Sequence, residues 1–238
     1  MEKMKILGIE TALGFLEVAL LDESRGLSPQ TLSDNALYSE NVMKLLRTLL
    51  ADSNVRVEDL DGIAVSIGPG SFTGLRIGLS VAKGLSVSAN RRLVAVSTLD
   101  ALAASAIEGG VIEDGCEFLA VIDAKRGEYY CASYVNDHRN LVRTTEPQVL
   151  VASDIVHEFA ARLRVIVVGN GRSKLEKDLA DSKLSGGRDF RIVEKSRTVS
   201  PASAVALLGL KKVQRKEFED VASLEPSYLK DFLIHTQS

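Results

Sequence analysis

Two carboxylates and one glycine-rich segment are the groups of this chain whose types and spacing bear on chemistry. Glu10 closes an apolar run that opens at Lys5, with Thr11 next to it, and Asp123 closes a later run that opens near Glu117. Carboxylates at the ends of corresponding strands, on opposite walls of a cleft, would bind magnesium or act as acid and base. The same residues at strand ends also serve as turn and cap residues. The third group is Gly68-Pro69-Gly70-Ser71-Phe72-Thr73-Gly74-Leu75-Arg76-Ile77-Gly78, which joins the strand-like run 63–67 to a helix-like run ending near Ala89. Gly68 and Gly70 permit backbone angles barred to other residues, Pro69 stiffens the turn, and Ser71 is placed to cap the helix. Amides exposed there would cradle an anion, or the segment is a tight strand-to-helix turn with no ligand. It lacks the Gly-Lys-Ser/Thr of a Walker loop, and Gly70-Ser71 does not fit a Gly-x-Ser-x-Gly nucleophile elbow.

Other chemistry is thinly represented. His138, His157 and His235 fall in a turn, a helix and the tail, with no two at the i, i+4 spacing of a helical metal pair. No metal site is expected, and no catalytic residue is assigned. Cys116 and Cys131, the only cysteines, lack Cys-x-x-Cys spacing and read as reduced core thiols. A net charge of −3 and a pI near 5.7 argue against independent nucleic-acid binding. No run of about eighteen apolar residues is free of charge, and the start of the chain reads as a strand, not a signal peptide. A cytoplasmic location with no membrane contact is expected.

The elements that must position these groups come in two similar blocks, within 238 residues of which 45% are hydrophobic. Runs at 5–10, 15–21 and 25–33 read as strands, with a glycine turn at Thr11-Ala12-Leu13-Gly14. A helix from Ser39 to about Asp52 follows, then strand 61–67, the helix from Ser71, strand 93–97, and a helix from Thr98. The second block has strand 117–123, a turn at 124–127, strand 128–135 and another strand pair. It continues with helix 153–163, strand 165–168, helix 173–181, a loop at 182–189, and a helix from Pro201 to about Arg215. The crossovers require mostly parallel central strands, giving a duplicated α/β fold with a cleft between two domains, 1–103 and 104–216. The tail, about 217–238, is expected to pack back on the first domain.

The helix after the glycine hinge is apolar around roughly two-thirds of its circumference, more than the ~100° stripe of an ordinary surface helix. Only Thr73, Arg76, Ser80 and Lys83 form a polar strip. The helix therefore needs cover on two sides, from its own sheet and from a second body, either another chain or the 39–52 helix. Gly74, Gly78 and Ala82 form a shallow groove on it, suited to close helix packing.

These features together resemble the TsaB (YeaZ) family, a branch of the actin-like, sugar-kinase-like ATPase superfamily. The resemblance is carried by 5–11 (Lys-Ile-Leu-Gly-Ile-Glu-Thr), Ser39-Glu40-Asn41, Gly68 to Gly78, Val96-Ser97-Thr98-Leu99, 122–128 (Ile-Asp-Ala-Lys-Arg-Gly-Glu) and Pro226-Ser227-Tyr228-Leu229. It spans nearly the whole chain. It implies a mixed-sheet, duplicated fold and a role in installing N6-threonylcarbamoyladenosine beside the anticodon of tRNAs reading codons that begin with adenosine. In that machinery the paralogue TsaD carries the metal-binding histidine pair and the catalytic cleft. TsaB-like chains act as its dimerisation and activation partner, the ATPase TsaE joins the assembly, and tRNA is met only through the complex. The resemblance thus assigns ATP and metal to the partner subunits, and no cofactor to this chain. Segment 38–43 (Tyr-Ser-Glu-Asn-Val-Met) carries no histidine, in keeping with the non-catalytic member. The chain departs from relatives that show Asp-Thr at Glu10-Thr11 and His-Ser at Tyr38-Ser39, which weakens any claim of nucleotide hydrolysis. Leu45, Leu49, Leu75, Gly78, Leu79 and Ala82 become the candidate partner contacts, with a homodimer through the same face expected when TsaD is absent. Glu10, Thr11, Gly68, Gly70, Ser71 and Asp123 become a vestigial nucleotide cleft. Two other classes stand beside this reading: an active small-molecule kinase of the superfamily, with Glu10 and Asp123 organising Mg-ATP, and, disfavoured, a metallopeptidase.

Overall fold

The structure, a computed structural model, describes residues 3–32, 39–159, 164–181, 189–193 and 197–230. Tyr38, His235 and the loop 182–188 lie outside the described residues, as do 160–163 of the expected helix 153–163 and 231–238 of the tail.

Two sheets repeat one plan. In the first, β1 (Lys5–Glu10), β2 (Leu16–Asp22), β3 (Gly26–Leu32), β4 (Gly62–Ser66) and β5 (Arg92–Val96) lie in the order β3-β2-β1-β4-β5. The hairpin strands are antiparallel, and β1, β4 and β5 run parallel. In the second, β6 (Glu117–Asp123), β7 (Glu128–Asp137), β8 (Asn140–Arg143), β10 (Arg164–Val168) and β11 (Asp189–Ile192) take the order β11-β10-β6-β7-β8, and β9 (Gln148–Val151) adds to β7. Each sheet is thus an antiparallel meander continued by crossover strands. The short β11 falls at the end of a polar stretch and was not anticipated from sequence.

The central strands are buried on both faces, as their unbroken apolar runs require. Helices α1 (Ser39–Ser53) and α2 (Phe72–Ala89) cover one face of the first sheet. Helix α6 (Pro201–Gln214) covers the other, lying across β1, β2, β4 and β5. Gly8 of β1 makes that approach possible, since a Cβ there would stand 2.3 Å from the Ala202 carbonyl oxygen. Helix α3 (Thr98–Glu108), buried over 98–99 and 101–107, packs between α6 and the second sheet. The second sheet carries α4 (Ala152–Glu158) and α5 (Arg172–Asp181) on its far side.

The expected division at residues 103 and 104 therefore departs from the packing. It cuts through α3, which lies on β6, β7 and β8, and it assigns to the second half the α6 that covers the first sheet. The reason is simple: the first sheet has two apolar faces, α1 and α2 fill only one, and the chain must return to fill the other. The segment after α6 then runs along the first lobe, where the Glu219 amide donates to Leu93 O at 3.0 Å and the Ser227 amide to Ile67 O at 2.7 Å. Among the described residues no helix is long and apolar enough to cross a membrane.

Candidate functional site

A cleft of about 1020 Å³ opens between the lobes. One wall is the turn after β1 with Gly70, Ser71 and Phe72; the other is the turn after β6 with Asp123 and Lys125. Asn170 lies at the join, its side-chain amide donating to Leu13 O at 3.2 Å.

The hinge at the mouth of α2 has the form read from sequence. Gly68 adopts a φ of +122°, the Gly68–Pro69 peptide is cis, and the Ser71 hydroxyl accepts from the Gly74 amide at 3.3 Å. The Ser71 amide, however, already donates to Ala12 O at 2.8 Å. The turn 11–14 has settled onto the hinge: a Cβ on Gly74 would lie 2.0 Å from Thr11 O, and one on Gly78 would lie 2.2 Å from Thr11 Oγ1. Thr11, fully buried, donates from its hydroxyl to Gly74 O at 2.7 Å. The groove on α2 is therefore filled by the chain's own β1–β2 turn.

This closure changes the role of Glu10. It does not line the cleft, as expected, but is wholly buried beneath it at the end of β1, directly opposite the buried Glu17. Its Oε1 accepts from the Ala12 amide at 2.5 Å, and its Oε2 has no hydrogen-bond partner among the described residues. Burial pushes the Glu10 pKa up to about 7; the Ala12 amide pulls it back in part, and the Glu17 carboxylate raises it further. Asp123 does line the cleft. Burial acts to raise its pKa, but hydrogen bonds from the Lys125 amide and ammonium, each 2.9 Å long, and the ammonium's charge more than offset this and leave it below the ordinary value. The two carboxylates thus do not meet as a pair across the cleft. Gly70, Ser71 and Asp123 gather at its walls, Gly68 is buried behind them against Ser227, and Glu10 and Thr11 lie under the floor.

Sequence reading missed the contribution of the tail. Ser227, Tyr228, Leu229 and Lys230 form part of the cleft lining. Their only sequence signal is the motif at 226–229, to which no chemistry attached. Among the described residues, one group of metal-ligating side chains comes together, Asp114, Asp137 and His138, exposed and far along the chain from every residue of the cleft's first wall.

The family model described as TsaD: tRNA N6-adenosine threonylcarbamoyltransferase matches residues 16–234. The tRNA threonylcarbamoyladenosine biosynthesis protein TsaB of Bacillus subtilis (strain 168) is 31% identical over 227 residues, covering 95% of this chain and 94% of that one. The protein of that name from Escherichia coli (strain K12) is 32% identical over 171 residues, covering 71% and 72%. The chain belongs to the TsaB (YeaZ) family. YeaZ from Pseudomonas aeruginosa has the same fold, with a TM-score of 0.76 at 24% identity over 95% of this chain and all of that one. A more distant fold relative is the activator of the 2-hydroxyisocaproyl-CoA dehydratase from Clostridium difficile, solved with bound ADPNP, with a TM-score of 0.52 at 10% identity over 91% of this chain and 99% of that one. These likenesses show a shared fold.

In this TsaB-family chain the side chains named from sequence as partner contacts point inward. Leu45, Leu49, Leu79 and Ala82 belong to the first lobe's core, Leu75 is buried, and Gly78 is pressed against Thr11. The cause is that α2 finds its second cover within the chain, from α1, the β1–β2 turn and the tail. The apolar surface left over lies one step round the helix, where Ile77, Val81 and Leu85 are half-buried at i, i+4, i+8; Val87, 70% exposed, stands apart from them on the polar strip with Arg76, Ser80 and Lys83.

Proposed function

We propose that this chain is the non-catalytic dimerisation and activation subunit of the assembly that transfers a threonylcarbamoyl group to N6 of the adenosine next to the anticodon in tRNAs reading ANN codons. Membership of the TsaB family carries the biosynthetic role. The observation that supports the accessory reading is the fate of the carboxylates. Glu10 is sealed under the cleft floor and Asp123 is engaged by Lys125, so neither stands ready beside the other to organise Mg-ATP. ATP and metal then belong to the partner subunits. TsaD is the partner for α1 and α2, TsaE joins the assembly, and the acidic chain meets tRNA through them.

The stripe Ile77-Val81-Leu85 replaces the buried set as the docking face, because only side chains that still reach the surface can anchor a partner. In TsaD's absence the same stripe supports a homodimer. Val81 and Leu85 still reach the surface, and thermal unfolding of each glutamate variant checks that the fold is retained. Titration calorimetry with TsaD is expected to show affinity reduced at least tenfold for Val81→Glu and for Leu85→Glu, which lie on the stripe. Wild-type affinity in both variants would place the docking face elsewhere.

A further inference from the structure

The tail touches three places that belong to different functions. Along α2, the Tyr228 ring packs on Phe72 with centroids 5.3 Å apart, its hydroxyl accepts from Arg76 Nε at 3.2 Å, and Lys83 Nζ donates to Ala222 O at 3.3 Å. At the hinge, Ser227 is bonded to Ile67 and sits so close to Gly68 that a Cβ there would lie 2.3 Å from the Ser227 oxygen. At Lys230 the chain has crossed to the second lobe: the ammonium donates to Ala124 O at 3.0 Å, pairs with Glu128 and lies 5.6 Å from the centre of the Tyr130 ring. Residues 227–230 thus form a short span with one end fixed to α2 and the hinge and the other to the β6–β7 turn across the cleft.

We propose that the segment Ser227–Lys230 is a latch that sets the opening of the inter-lobe cleft and couples it to the outer surface of α2. Its second half rests on the docking reading given above. The hinge end is held by backbone contacts and a ring pair, whereas the far end is a single ammonium whose ion pair with Glu128 is 30% and 38% exposed. Exposed pairs are weak and exchange readily with water, so the Lys230 end is the one that lets go when the lobes part. A body seated on the Ile77–Val81–Leu85 stripe borders Arg76, the chain neighbour of Ile77, whose side chain holds Tyr228, and so biases whether Lys230 remains in place. By linkage the effect is reciprocal: whatever releases Lys230 must change affinity at α2 by the same factor that partner binding changes the latched population.

The test uses the full chain with spin labels at Ser80→Cys on α2 and Ala180→Cys on α5, both exposed, in a Cys116→Ser, Cys131→Ser background. Electron–electron double resonance on this protein should give one narrow inter-lobe distance. Lys230→Ala, Glu128→Ala and Tyr228→Ala should each add a second, longer population, the Lys230/Glu128 double variant no more than either single one, and Lys230→Arg should restore the narrow distribution. Thermal unfolding of each variant checks that the fold is intact. Unchanged distributions in all three alanine variants overturn the latch. For the coupling, Lys230→Ala, which lies off α2, should change partner affinity at least threefold. A shifted distance distribution with unchanged partner affinity overturns the coupling alone. If the wild-type chain does not bind TsaD at all, the docking reading and the coupling fall together, and the distance measurements still decide the latch.

Discussion

The two lobes place a carboxylate at the same point of the same topology and treat it in opposite ways. Glu10 and Asp123 each end the first strand of an antiparallel meander, the strand at the centre of its sheet, and each is followed by a turn back into the next strand. In the second lobe the turn stands clear and Asp123, paired with Lys125, remains an ordinary low-pKa anion in the cleft wall. In the first lobe the turn has collapsed onto α2, because Gly74 and Gly78 leave room for Thr11, and Glu10 is sealed in with a pKa near 7. One topological position therefore yields a surface group or a buried acid, and the helix opposite decides which.

The largest expected effect comes from reversing that collapse. In Gly78→Leu the new Cβ would overlap Thr11 Oγ1, and the turn has nowhere to go within the packed lobe. Overpacking of this kind is expected to cost about 3 kcal/mol or more, read by urea denaturation, with loss of soluble protein as the extreme outcome. A variant as stable as the parent would mean that the turn does not pack on α2 as described.

Next in size is the proton on Glu10. Its folded pKa of about 7 lies above the ordinary 4.5, so the neutral form is favoured by folding. The stability this contributes is complete below pH 4.5, falls as the pH rises toward 7, and has gone above it; the span is about 3 kcal/mol at ~1.4 kcal/mol per tenfold change in proton affinity. Glu10→Gln, neutral throughout, should flatten this part of the stability curve and be the more stable protein at pH 8. The same slope in both proteins would show that Glu10 is not the buried acid. The smallest effect is expected at the twin position. The depressed pKa of Asp123 gives the opposite sign, with stability present above its ordinary value of 3.8 and lost on acidification, and Asp123→Asn should cost less than about 1 kcal/mol because the Lys125 partner is 82% exposed.

What could be read from the chain was local. Glycine and proline punctuation marked the hinge from 68 to 78, the apolar run at 63–67 marked its strand, and Pro201 marked the start of α6, because each signal acts over a few residues. The repeated order of elements foretold two sheets with one plan. The inward fate of Leu45, Leu49, Leu75, Gly78, Leu79 and Ala82 was not legible, since an apolar helix face does not say whether its cover comes from its own chain. Nor was the burial of Glu10, which depends on Thr11 meeting Gly74, a contact 63 residues apart in sequence. The return of α6 to the first sheet and the crossing of Lys230 to the second lobe are long-range in the same sense.

The accessory role can be tested by reconstitution: threonylcarbamoyl transfer to tRNA by TsaD, TsaE and the adenylate-forming enzyme with ATP, threonine and bicarbonate, with and without this chain. Product is expected only when the chain is present, with no turnover of Mg-ATP by the chain alone. Equal product in both reactions, or ATP turnover by the isolated chain, would contradict the account.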